Sequence, residues 1–189
     1  MIDLFSNVAT AFGLSASAGL NAYLPLLVVA LTARFTNLIQ LNEPWNVLTS
    51  WWVIGILVVL IMVEMTVDKI PAVDTVNDVF QTIGRPAAGA ILFAASSGVV
   101  GDLHPVLAMS AGLLLAGGVH AAKTAVRPAV TVSTAGTGNW LVSILEDVLS
   151  LIGTIMAILL PILIMLTVIF FFILFLWWRS RRWLGLTTT

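Results

Sequence analysis

Val47-Leu48-Thr49-Ser50-Trp51-Trp52-Val53-Ile54-Gly55-Ile56-Leu57-Val58-Val59-Leu60-Ile61-Met62-Val63-Glu64-Met65-Thr66-Val67 is the stretch whose reading decides the fold. It is apolar all round, so it has no polar face to turn to water, and a single acid, Glu64, breaks the run near its end. Its length suits a helix crossing a bilayer, which needs about 20 residues. Trp45, Trp51 and Trp52 sit at its start, where an aromatic belt would meet the headgroups.

Four more apolar stretches lie around it: Val8 to Ala33, Pro86 to Val100, Pro105 to Ala122 and Val148 to Trp178. The chain is 60% hydrophobic and only 9% charged, with a mean hydropathy of +1.09. Soluble domains carry about 25% charged residues, so this composition points to a bilayer as solvent. We therefore expect an all-α, polytopic transmembrane helix bundle in one domain, residues 1–189. Met1 to Asn7 lacks the basic region and cleavage site of a signal peptide, so the first apolar stretch is expected to remain as an anchor. Five spans fit the pattern. The third falls short of the usual length, unless it is enclosed by other helices. The fifth is long enough to tilt, or to bend at Pro161.

Charge excludes several function classes. The net charge of −1 gives nucleic acid no footing, and the absence of cysteine removes thiol chemistry and Cys-ligated metals. His104 and His120 have no metal-ligand spacing, and no nucleophile or metalloprotease motif is present. We expect no enzyme activity, no cofactor and no metal. The expected surroundings are the lipids of the cytoplasmic (inner) membrane, crossed several times. Orientation is evenly contested. Arg179, Arg181 and Arg182 favour a cytoplasmic C-terminus, with Arg34 on their side, while Lys69, Arg85, Lys123 and Arg127 fall opposite.

Two connections concentrate the polar residues. In Pro71 to Gly84 a short helix is expected, with Asp74, Asn77, Asp78, Gln81 and Arg85 on one stripe. It would lie on the membrane surface or dip in as a re-entrant segment. Lys123 to Asn139 ends in a run of Thr, Ser and Gly, including Thr134 and Asn139, where a helix start could meet an anion. The same spacing separates Gly55 from Pro71-Ala72-Val73 and Gly112 from Pro128-Ala129-Val130, which suggests an internal repeat. Glu64 and Asp68 are one turn apart at the end of the second span, and His120, Lys123 and Arg127 are similarly spaced at the end of the fourth. A five-span topology puts both ends on one side. Isolated charges in hydrocarbon are costly, so these groups should pair or reach water.

Within the first stretch, Asn21 and Pro25 interrupt the helix, with a packing role or a ligand role open to them, and small residues (Gly13 with Ser17, Ser15 with Gly19) suit close helix contact; a homo-oligomer is a further expected assembly. Asp147 shares with Glu146, Ser143, Ser150 and Thr154 a polar face at the start of the fifth stretch. That face either turns inward or marks the membrane boundary. From these residues two function classes emerge. One is a permease or channel-like protein for a small ion, an anionic solute or a lipid phosphate. The other is a non-catalytic assembly or accessory subunit.

Gly19-Leu20-Asn21-Ala22-Tyr23-Leu24-Pro25, Asp68-Lys69-Ile70-Pro71-Ala72-Val73-Asp74 and Arg127-Pro128-Ala129-Val130 together resemble the family called domain of unknown function 4126. That resemblance covers nearly the whole chain. It implies a small bacterial protein of the cytoplasmic membrane and no particular activity. The first of these motifs is also similar to one in undecaprenyl-diphosphate phosphatases. There, glutamates stand where this chain has Ala18 and Ala22, and a Ser-Ser-Thr-Gly-His run is missing here, so the phosphatase chemistry does not carry over.

Single cysteines at Asn77 and Thr134 test the shared side. Both should react with a membrane-impermeant thiol reagent from the same face, and labelling from opposite faces would refute the topology.

Overall fold

A computed structural model describes residues 2–41, 43–67, 71–96, 104–134 and 138–160, together with residues 170, 173, 174 and 177. Every regular element among them is helical: α1 (Ile2–Leu20), α2 (Tyr23–Phe35), a 3-10 helix (Trp45–Thr49), α3 (Trp51–Val67), α4 (Pro71–Ser96), α5 (Pro105–Thr134) and α6 (Asn139–Leu159). The first apolar stretch is thus two helices. Asn21 causes the break by accepting the N–H groups of Tyr23 and Leu24 on its own side-chain oxygen, at 3.1 and 2.9 Å.

Pro71 to Gly84 is not a separate short helix, which corrects that expectation. It runs without interruption into the third apolar stretch and gives it the length it lacked. Pro86 lies inside the resulting helix α4. Of the second segment, residues 123–134 are the end of α5, with Pro128 inside it, while 135–137 lie outside the described residues and Asn139 opens α6. Prolines survive in such helices when neighbouring helices and hydroxyls take up the freed backbone groups. The internal repeat is not mirrored in the structure either: Pro71 starts a helix and Pro128 sits within one. The fifth stretch starts as a helix at Asn139, ahead of Val148. Pro161 and most of the segment after it lie outside the described residues.

α1 packs against α4, α5 and α6, and α4 pairs closely with α5. Small residues make this possible. A Cβ at Gly112 would stand 2.6 Å from that of Phe93 and overlap the backbone of Gly89. One at Gly19 would meet Ala116 O and Val119 Cβ, each at 2.6 Å. Hydroxyls stitch the helices together. Ser15 donates to Gly89 O (2.9 Å), Ser150 to Ser17 O (2.9 Å) and Thr10 to Ala157 O (3.0 Å). At the other end of α2, exposed Arg34 donates to Thr49 O and lies 4.2 Å from the ring centroid of Trp51, tying α2 to α3.

The interior mixes apolar side chains such as Leu14, Val29 and Leu92 with small and polar ones, while many large apolar side chains point out. Phe12, Ile56, Val59, Met62, Ile83, Leu114, Leu145 and Ile152 are all exposed. Among the described residues, α5 and α6 are long and apolar enough to cross a membrane, and α2 and most of α3 are shorter apolar helices. These features support membrane association.

Gly112→Val should destabilise the purified protein by about 1–3 kcal/mol through overpacking. Gly55→Val, with nothing within 4 Å of the added Cβ, should stay within roughly 0.5 kcal/mol. Thermal unfolding in detergent distinguishes the two.

Candidate functional site at the helix break

One stripe runs along α5: Ala108, Gly112 and Ala116 are buried at one end, and His120, Lys123 and Arg127 at the other. The spacing of three and four keeps them on one face. The small half lets α1 and α4 approach. The basic half then enters a bundle that encloses it, so its charges need partners there.

α4 and α3 supply the first set. Arg85 is 1% exposed, and its guanidinium lies 3.3 Å from Glu64 near the end of α3, itself 2% exposed. A second Arg85 nitrogen lies 3.2 Å from His120 Nδ1, and Thr82 Oγ1 lies 3.3 Å from His120 Nε2. Gln81, one turn before Arg85, is buried beside the half-buried Tyr23 of α2. α6 supplies the second set. Lys123 Nζ lies 2.7 Å from a Glu146 oxygen and donates to Leu20 O, at the end of α1, over 3.5 Å. Asn21 Nδ2 donates to Asp147 at 2.9 Å. Arg127 is buried one turn beyond Lys123.

The break between α1 and α2 therefore faces a cluster of buried charges among the described residues. Glu64, Arg85, His120, Lys123, Arg127, Asn21 and Asp147 gather around it. Thr134 and Asn139 do not join them. The Thr134 hydroxyl donates to Val130 O (2.7 Å) and accepts from Gly138 N (3.0 Å), and Asn139 accepts from Thr131 at 3.0 Å. Among the described residues these hydroxyls bond nearby backbone groups and the Asn139 side chain, and residues 135–137, the middle of the expected anion-binding stretch, lie outside the described residues. The backbone of Asp74, Asn77 and Asp78 lies in α4, upstream of Gln81. Their side chains, and all of Asp68, fall outside the described residues.

Residues 8–181 match the family model described as Domain of unknown function (DUF4126). The chain belongs to this family. No curated protein matches it, and no solved structure does. For this DUF4126 chain the geometry also gives a partner to Glu146 of the predicted polar face and adds one group that the sequence pattern did not pick out, the Leu20 carbonyl. Glu146 is the partner of Lys123, and the carbonyl of Leu20 is its second acceptor. The signal for Glu146 was present in the three- and four-residue steps that link Ser143, Glu146, Ser150 and Thr154, all buried on α6. A backbone carbonyl leaves no such trace.

Replacing Arg85 alone with Met should cost about 3–5 kcal/mol by leaving Glu64 buried without its guanidinium. Arg85→Met combined with Glu64→Leu should cost markedly less. A double-mutant cycle on thermal unfolding measures the difference, and additivity of the two single changes would refute the pairing.

Proposed function

We propose that this chain is a multi-pass protein of the cytoplasmic membrane that acts as a small permease, with the charged cluster at the helix break as its polar pathway. The observation that supports this reading is the coincidence of an interrupted helix with buried charges of both signs. Discontinuous helices bring backbone ends to the middle of transporter bundles, where substrates and coupling ions bind. Intramembrane ionisable groups mark such pathways because their cost is otherwise hard to sustain.

A small anionic solute or a lipid phosphate suits the cationic side. Its oxygens would replace the carboxylates of Glu64 and Glu146 as acceptors for Arg85, Lys123 and Arg127. The acidic and amide residues Asp68, Asp74, Asn77 and Asp78 would form the entry to the same path. Membrane lipids surround the bundle, and no catalytic step is part of the proposal.

A second reading, a non-catalytic accessory subunit, is favoured by one observation. Glu64 with Arg85 and Lys123 with Glu146 close on each other, as pairs that only hold helices together would. The exposed apolar face of α3, with Trp51, Trp52, Ile56 and Val59, would then meet a larger membrane complex.

Flux of small inorganic anions into proteoliposomes separates the two. Lys123→Met and Arg127→Gln should each lower it at least about tenfold, a loss of roughly 1.4 kcal/mol in the rate-limiting step. Unchanged flux in both variants, with stable co-purification of a larger complex, would replace the permease by the subunit.

A further inference from the structure

In an uninterrupted helix the N–H groups of Tyr23 and Leu24 would close on the carbonyls of Gly19 and Leu20. Asn21 takes both donors instead. The last turn of α1 is thereby turned into a set of backbone acceptors inside the bundle, at the end where the helix dipole places about half a negative charge. Glu146 adds a full negative charge beside it, and Asp147 adds another that Asn21 Nδ2 holds at 2.9 Å. The group that fills this place is the Lys123 ammonium, 2.7 Å from the Glu146 carboxylate and 3.5 Å from Leu20 O.

A helix-end carbonyl and a carboxylate are the oxygen ligands that a free monovalent cation takes at a broken helix. We propose that the α1–α2 break is a monovalent-cation site, occupied here by the Lys123 ammonium as a tethered ion, and that Na⁺ or K⁺ takes the same place once that ammonium is gone. Charge balance supports this. Among the described residues the cluster sets Arg85, Lys123 and Arg127 against Glu64, Glu146 and Asp147. Removing the Lys123 charge leaves two guanidinium groups facing three carboxylates, one buried negative charge in excess. A cation restores neutrality at the point where the ammonium stood. When Lys123 itself gives up its proton, one H⁺ leaves as one Na⁺ or K⁺ enters, so the site exchanges one for the other with no change in charge. The proposal concerns binding and holds whether or not the chain transports, so it is read by stability and not by flux.

The test is thermal unfolding of the purified full-length protein in NaCl, KCl and choline chloride at equal ionic strength. Wild type should unfold at the same temperature in all three. Lys123→Ala should gain roughly 5 °C or more in Na⁺ or K⁺ over choline, as expected for a cation about 100-fold above its dissociation constant. Lys123→Ala combined with Glu146→Gln should lose that gain. If Lys123→Ala gives no folded protein, Lys123→Gln takes its place with the same expectation. Equal stability of the single variant in all three salts overturns the proposal. So does a gain of the same size in wild type or in the double variant, because the cation then binds elsewhere. Failure of both single variants to fold in potassium-rich cells also overturns it, since a free cation should have stood in for the ammonium.

Discussion

The bundle depends on neutralising charge in a place that water does not reach. Arg85 is one of its most deeply buried side chains, and a guanidinium cannot shed its charge. Removing it from water costs several kcal/mol, a cost offset only if an acceptor is held close to it. Glu64 and His120 are so held, and they come from two different helices. The pairing therefore fixes how far α3 and α5 slide along α4. Lys123 does the same for the other side of the bundle, fixing α6 through Glu146 and the end of α1 through Leu20.

The glycine contacts complement this electrostatic register. Charge pairs alone allow sizeable separation, because long side chains reach. The contact of Gly89 with Gly112 removes that freedom by bringing two backbones together, and Gly19 does so for α1 against α5. Once helices are this close, small hydroxyl side chains span the gap, as Ser15 does to Gly89 O and Ser150 to Ser17 O. With lipid-like apolar side chains outside, packing and hydrogen bonds take the place that hydrophobic burial holds in a soluble core. Asn21 belongs to the same design. Its carboxamide captures two N–H groups, ends α1, starts α2 and reaches Asp147, so one residue both breaks a helix and orients the break.

Much of this was legible in the sequence. Apolar runs and the scarcity of charge gave helices suited to a membrane, and three-and-four spacing placed Gln81 and Arg85 together on α4 and His120, Lys123 and Arg127 together on α5. Asn21 and Pro25 marked the interruption. Other features were misread because local composition was a poor guide to where helices end. Pro86 and Pro128 look like breaks, and Thr131 to Thr134 looks like loop, yet each lies inside a continuous helix, as prolines can in a packed helix bundle.

By itself, the sequence determined the helical class, the apolar exterior and which residues carry charge, since these follow from side-chain chemistry and from periodicity along one chain. Which charges meet was decided only in three dimensions. The sequence set His120, Lys123 and Arg127 opposite Glu64 and Asp68, and in the bundle Lys123 lies against Glu146 and a main-chain oxygen. The physical reason is that pairing depends on the distance between helices, and small residues along those same helices set that distance.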